Sequence, residues 1–370
     1  MKATNIQLTL KKPPSLKMGA VTNTIIRLSD LFYKINGNFA VRGSFSRGDA
    51  DFNDVDVAIY LAEGERISDD GLPKTFLGRN IGYWSIPIKD AERYYEHCIR
   101  PSISLVETKF LKLRDKDVGQ MIERQQQKFY LFRRMQFLLY ILIDEDTMLN
   151  LYSFLLKEDS YSMLKRQAGS KKTISRVVWA TKALFPETRE LNSIQTLEFL
   201  CTRRIMSEKT KDTCLRILEN LQARHIEKVR WANDTNQIDR WFQQEFKSLV
   251  LSRLEGHLDP ILVKHSLSAA NQDATQEEID RAFKFARKLP LGPEKFILYF
   301  ALSGNTRTRG TDLVAIFDEI KGDFVYNNIT RNLIMNPHFP ERLLSPDLVN
   351  ASSLSKRAYE IRKKLLAHPE

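Results

Sequence analysis

Residues 41–61 read VRGSFSRGDADFNDVDVAIYL, and the fold is argued outward from them. The second half, Val55 to Leu61, alternates and is β-branched, the pattern of a strand with one face buried. Gly43-Ser44 stands about ten residues before that strand's acidic start, at the end of a short β-like run, Phe39–Val41. Upstream, Val21 to Ile35 carries Ile25, Ile26, Leu28, Leu31 and Phe32 at helical spacing, with Gly37 as a stop. Downstream, Gly64, Gly71, Pro73 and Gly78 mark residues 63–80 as loop. Tyr83–Ile88 reads as a short strand that Pro87 confines to an edge. Ile103–Phe110 reads as a further strand, or one running into a helix.

Beyond residue 115 the pattern is almost all helical. Apolar periodicity predicts helices at about 118–143, 146–156, 173–185, 193–205, 209–230, 236–257, 275–289 and 293–303, with another near 353–367. No fixed-period repeat or low-complexity tract is evident. The expected architecture is α+β: a small mixed sheet with flanking helices over 1–115, a helical domain over 116–258, and a second over 259–370, divided at Asp259-Pro260.

Composition bounds the function. The 370 residues include 42% hydrophobic and 28% charged side chains, so the chain is globular and not disordered. Lys and Arg number 57 against 46 Asp and Glu, a net charge of +11, which suits polyanionic partners such as nucleic acid or nucleoside triphosphates. Residues 118–230 hold 20 of the basic residues against 13 acidic ones, concentrated over 157–182, where they would line a cleft if the two parts fold face to face. Cys98, Cys201 and Cys214 are too scattered for a disulfide framework or zinc finger, which predicts a reducing compartment. The N-terminus lacks a secretory pattern, and the longest apolar run, Phe137–Ile143, is far short of the roughly 20 residues of a membrane span. A cytoplasmic chain without membrane contact is expected.

The chemistry centres on Asp54 and Asp56. A D-x-D pair alone means little here, because Asp49/Asp51, Asp115/Asp117 and Asp144/Asp146 also occur. Asp54/Asp56 differs in opening a strand. Side chains at i and i+2 of a strand share one face, roughly 6.6 Å apart. Two such carboxylates can hold Mg²⁺ or Mn²⁺, hard cations commonly shared with substrate phosphates, and a pair of ions about 3.5–4 Å apart stabilises phosphoryl transfer. Gly43-Ser44 at a strand-to-helix turn would offer N–H groups and a hydroxyl to the β- and γ-phosphates. The plain alternatives are an Asp-rich turn capping a strand and an ordinary Gly-Ser turn; Gly169-Ser170 shows how cheap that dipeptide is. Gly169-Ser170-Lys171-Lys172, read as heading a helix, could hold a phosphate or simply carry solvated charge. Trp179, Phe185, Trp231 and Trp241 read as core residues.

With these residues quoted, the sequence resembles the DNA polymerase β-like nucleotidyltransferase superfamily. Gly43-Ser44-Phe-Ser-Arg47-Gly-Asp49 followed by Asn53-Asp54-Val-Asp56 is similar to the GlnD-like branch, whose pattern is G-S-x-G-R-x-E and then S-D-x-D. The segment Ser104 to Asp117 looks like that branch's L-[LI]-[DE]-x-R-x-L-x-G-D. The resemblance covers about residues 20–135. It implies transfer of a nucleoside monophosphate from an NTP (ATP among the candidates) to an acceptor hydroxyl, with release of pyrophosphate. Asp54, Asp56 and Glu107 would be the catalytic and metal-binding carboxylates for two Mg²⁺ or Mn²⁺ ions, Glu107 also aiding deprotonation of the acceptor. Gly43, Ser44, Arg47 and, in the helical part, Lys171 would bind nucleotide. Asp90 is the fallback third acid. Asn53, Ser46 and Lys109 replace the branch's Ser, Gly and Arg, and no Gly precedes Asp117. None of the six histidines is followed by Asp, so the match is to the transferase module alone. The acceptor could be a protein, an RNA or tRNA end, or a small molecule. A catalytically silent nucleotidyltransferase-fold regulatory or binding module, or a helical scaffold controlled by the N-terminal part, is the alternative.

Overall fold

The computed structural model describes residues 18–49, 54–65, 67, 71–98, 105, 107–155, 161–223, 228–350 and 353–366. Helix α1 (Met18–Phe32) leads into β1 (Asn38–Arg42), the one-turn helix α2 (Gly43–Arg47) and β2 (Asp54–Leu61). β3 (Thr75–Phe76), β4 (Arg79–Pro87), α3 (Ile88–His97) and β5 (Lys109–Lys112) complete the α+β part. The sheet order is β3-β4-β2-β1-β5, with β2 parallel to β4 and every other pairing antiparallel.

Strand alternation divides the sheet between two cores. Val55, Val57 and Ile59 share one face with Phe39 and Val41 and pack under Leu28 and Phe32 of α1. Ala40, Ala58, Tyr60 and Ile86 face the other way, into a core continuous with the helices. There Tyr94 and Tyr95 of α3 are buried, and the hydroxyls of Tyr60 and Tyr95 are 2.8 Å apart. β4 is longer than the sequence suggests. It pairs with β2 over its whole length, and β3 covers only Arg79 and Asn80, so Pro87 still lies on an uncovered edge.

Helices α4 (Lys116–Lys128) and α5 (Arg134–Leu155) run on through a π-helical turn at Phe129–Arg133, with no break between them. The break expected at residue 144 is absent because the acidic residues there are buried. Arg176 of α6 (Tyr161–Leu184) donates Nε to Asp144 at 2.8 Å and Nη1 to Glu145, while Asp146 pairs with Lys247 at 2.8 Å. All of Phe137–Ile143 is buried, which makes α5 the axis of the helical part and not a surface helix.

The rest comprises α7 (Ser193–Thr202), α8 (Glu208–Ala223), α9 (Lys228–Trp241), α10 (Lys247–Leu254), α11 (Pro260–Ala270), α12 (Gln276–Lys288), α13 (Pro293–Gly304), α14 (Gly310–Ile320), α15 (Asn327–Met335), α16 (Pro346–Asn350) and α17 (Ser353–Leu366). Asp259-Pro260 starts a helix: Asp259 accepts from the Ile261 N–H at 2.8 Å, and Leu254 and Leu262 on either side belong to one core. Packing is thus continuous where a domain boundary was expected. Gly304 lets α13 cross α5 closely, since a Cβ there would clash with Thr147 Cγ2.

A repeat invisible in the periodicity appears at three helix ends. Asn271, Asn305 and Asn336 follow α11, α13 and α15, and each Oδ1 accepts from the N–H two residues on, at 3.0, 2.8 and 3.0 Å. Asn305 Nδ2 donates to the carbonyls of Ala269 and Asn271, both at 2.9 Å. Asn336 Nδ2 donates likewise to Ser303 and Asn305, at 3.0 and 2.9 Å. On the last layer Arg362 of α17 takes the corresponding place, donating to Ile334 and Asn336 at 3.3 and 2.7 Å and to Phe339 at 2.7 Å. These buried amides satisfy carbonyls that helix ends leave without partners.

Candidate functional site

The pleat of β2 puts Asp54 and Asp56 on one exposed face while Val55 and Val57 anchor the strand in the core. Asp56 lies between Arg42 of β1 and Gly82 of β4, and Asp54 is paired with Asn80. Gly43 adopts a left-handed φ of +77°, and a Cβ there would stand 2.8 Å from Asp56 Oδ2. A Cβ on Gly82 would be 3.7 Å from Oδ1. Glycine on both sides leaves the Asp56 carboxylate flanked by backbone. Its pKa is pushed up by desolvation first and by Asp54 second, against the attraction of Arg42 and Arg47. Ser44, in the first turn of α2, is partly exposed beside Gly43.

Behind this face lies a buried charge cluster. Arg47 donates Nε to Asp49 at 2.9 Å and Nη1 to Glu107 at 2.7 Å, with side-chain exposures of only 6% for Arg47 and 4% for Glu107. The Ser46 hydroxyl donates to the Glu107 carbonyl. Asp49 also accepts from the Ser193 N–H at 2.9 Å and hydroxyl at 3.0 Å, which ties the end of α2 to the start of α7. Burial pushes the Glu107 carboxyl up against the pull of Arg47, and burial pushes the Lys182 ammonium down.

This geometry revises several expectations. Arg47 is engaged by two carboxylates, Asp49 and Glu107, and so holds α2 in place. Glu107 faces Arg47 from inside the protein and is buried, and among the described residues no third His, Cys, Asp or Glu joins Asp54 and Asp56 in a group that could hold a metal ion. Asp90 sits past the end of β4, eight residues beyond the Gly82 that flanks Asp56, at the opposite end of the parallel pair and beside Arg93 at 3.7 Å. Gly169-Ser170-Lys171-Lys172 is inside α6 and heads no helix; the Lys171 side chain lies outside the described residues, as do Asp51, Asn53 and Ser104. Arg176 and Lys182 of the basic stretch are buried. Of the other acidic residues in such pairs, Asp115 caps α4 by accepting from the Asp117 N–H at 2.9 Å, while Asp49, Asp144 and Asp146 each face a basic side chain.

Two features escaped the sequence reading. Arg42 is 3% exposed, with its guanidinium 3.9 Å from the centroid of the Trp84 ring and neither Nη atom hydrogen-bonded. Counting by twos from Asp56 across an antiparallel pair would have placed it on the same face, had the register been known. The second is a cavity of about 510 Å³ at the π-helical turn, lined by Glu123, Gln126, Gln127, Tyr130, Leu131, Arg189 and Glu190. Arg189 lies over the Tyr130 ring at 3.1 Å, and the buried Tyr130 hydroxyl, pushed up to about 12 chiefly by desolvation, has no hydrogen-bond partner. Gln126 donates to the Leu105 carbonyl at 2.7 Å, so the cavity wall and α2 are bonded to the same short stretch, 105–107.

Two hard oxygen donors, Asp54 and Asp56, share one face, the donor type that a divalent cation such as Mg²⁺ prefers. No family model, no curated protein and no solved structure matches the chain.

Proposed function

We propose that this chain is a metal-dependent nucleotidyltransferase that moves a nucleoside monophosphate from an NTP to an acceptor hydroxyl. The observation that carries the reading is the contact between Gly43 and Asp56. A Gly-Ser turn in the left-handed conformation is pressed against the second carboxylate of an acidic pair on a neighbouring strand, with room for nothing larger than hydrogen.

In this reading Asp54 and Asp56 would hold Mg²⁺ or Mn²⁺, which when bound would neutralise charge on the phosphates. The Gly43-Ser44 backbone and hydroxyl orient the triphosphate beside them. The acceptor oxygen bonds to the α-phosphorus as the bond from phosphorus to the bridging oxygen breaks. Pyrophosphate departs with that electron pair, and the acceptor's proton passes to solvent on the open face of β2. Arg47, Asp49, Glu107 and Ser193 hold α2 against the helices, so the phosphate-facing turn is fixed from behind. The acceptor is a protein, the class the resemblance suggests, or an RNA, the class the surplus of basic residues suggests.

One observation favours a second reading, a silent module that binds nucleotide without transferring it. On the strand beside Asp54 and Asp56 the same face carries Asn80, Gly82 and Trp84, none of them a carboxylate. Incubation with each of four α-³²P NTPs, Mg²⁺ or Mn²⁺, and lysate protein or RNA separates the two. Label that enters one fraction and disappears with Asp54→Asn/Asp56→Asn supports transfer; NTP binding without label supports the silent module.

A further inference from the structure

Arg42 is an expensive residue where it stands. Its guanidinium is desolvated, its Nη1 and Nη2 have no hydrogen-bond partner, and it makes no ion pair with Asp56, its neighbour across the ladder. Contact with the Trp84 face at 3.9 Å offsets only part of that cost. An apolar side chain of similar length would fill the space between Trp84 and the tyrosines at least as well. The charge itself is therefore what the position supplies, and its nearest use is on the Asp54/Asp56 face, since cross-strand neighbours stand with Cβ atoms about 5 Å apart.

Resting on the nucleotidyltransferase reading, we propose that Arg42 is a fixed counter-charge that biases the site against a free divalent cation and toward a triphosphate, so that metal and nucleotide enter together. Two carboxylates alone form a site of charge −2, attractive to cations and repellent to a polyphosphate. One buried cation beside them halves that charge without occupying the ligand face. Because the guanidinium is wedged against Trp84 and held away from Asp56, it acts through space and leaves both carboxylate oxygens available. It is a positioning residue in the electrostatic sense: it need not touch substrate.

Mn²⁺ binding to the nucleotide-free protein, followed by the loss of the free-ion EPR signal, and ATP binding in EDTA, followed by calorimetry, test this without any turnover. Arg42→Met is expected to bind Mn²⁺ at least about tenfold more tightly and ATP at least about tenfold more weakly than the unaltered protein, as removal of one charge from beside the two carboxylates requires. Arg42→Gln, which keeps polar atoms against Trp84, is expected to move both affinities the same way, and Arg42→Lys to leave both near their starting values. Thermal unfolding of Arg42→Met is expected no lower than that of the unaltered protein. Unchanged affinities in both neutral variants, in a protein whose Mn²⁺ binding is lost with Asp54→Asn/Asp56→Asn, overturn the counter-charge and leave the transferase reading standing. Absence of any Asp54- and Asp56-dependent Mn²⁺ or ATP binding overturns both.

Discussion

Gly43→Ala tests the geometry of the site most directly, because Gly64 provides its control. Both glycines have a left-handed φ, +77° and +75°, but a Cβ on Gly64 meets nothing within 4 Å while one on Gly43 meets Asp56 Oδ2 at 2.8 Å. Placing an L-residue in the left-handed region costs about 1–2 kcal/mol at either position. At Gly43 the Asp56 carboxylate must also rotate off its preferred rotamer, a further ~0.5–1.5 kcal/mol. Denaturant unfolding of the two variants in parallel should show Gly43→Ala the less stable by that increment. The functional difference is much larger. Displacing a positioned carboxylate by about 1 Å costs on the order of 100-fold in rate, so Gly43→Ala should lose most NMP transfer and Gly64→Ala retain it. Identical unfolding and identical transfer in the two variants would refute the claim that Gly43 is there to admit Asp56.

Other outcomes follow from the same contacts. Asp56→Asn should abolish transfer and stabilise the fold at neutral pH: the folded state raises the Asp56 pKa, so the wild type loses stability as pH rises through that folded value, and the gain from Asn should vanish below the ordinary 3.8 when unfolding is followed against pH. Arg47→Met should cost about 3–5 kcal/mol, because Asp49 and Glu107 are left buried without their cation; combining it with Glu107→Gln should recover part of the loss in urea titrations. Gly304→Ala should lower the melting temperature through overpacking of about 1–3 kcal/mol, and Thr147→Ser, which deletes the clashing Cγ2, should restore most of it.

What could be read from the sequence was set by local periodicity. The alternation of Val55, Val57 and Ile59 fixed β2 as a strand, and the same period placed Asp54 and Asp56 on one face. The contents of the site beyond that pair were decided by partners far along the chain. Glu107 reads as a strand carboxylate until Arg47, sixty residues earlier, is seen bonded to it. Residues 144–146 fall at the boundary between two expected helices, and only Arg176 and Lys247 show why the helix runs on through them. The π-helical turns at Phe129–Arg133 and Phe242–Phe246 each add a residue to a turn without any composition that announces it. The asparagine repeat was missed for a related reason: one residue per helix, at unequal intervals, carries no period, although all three accept from the N–H two residues on.

That repeat gives the C-terminal helices the character of a stack assembled one storey at a time. Asn336 serves the storey of Asn305, and Asn305 serves that of Asn271, so each floor's ceiling is closed by the next. A damaged amide should therefore open its own floor and the seam below it while the floors beyond stay bonded. Arg362 ends the series by filling the final ceiling with a side chain that has no asparagine's place to offer upward. A storey inserted between Asn305 and Asn336 with its own terminal asparagine would lengthen the stack and leave Gly43, Asp54 and Asp56 untouched.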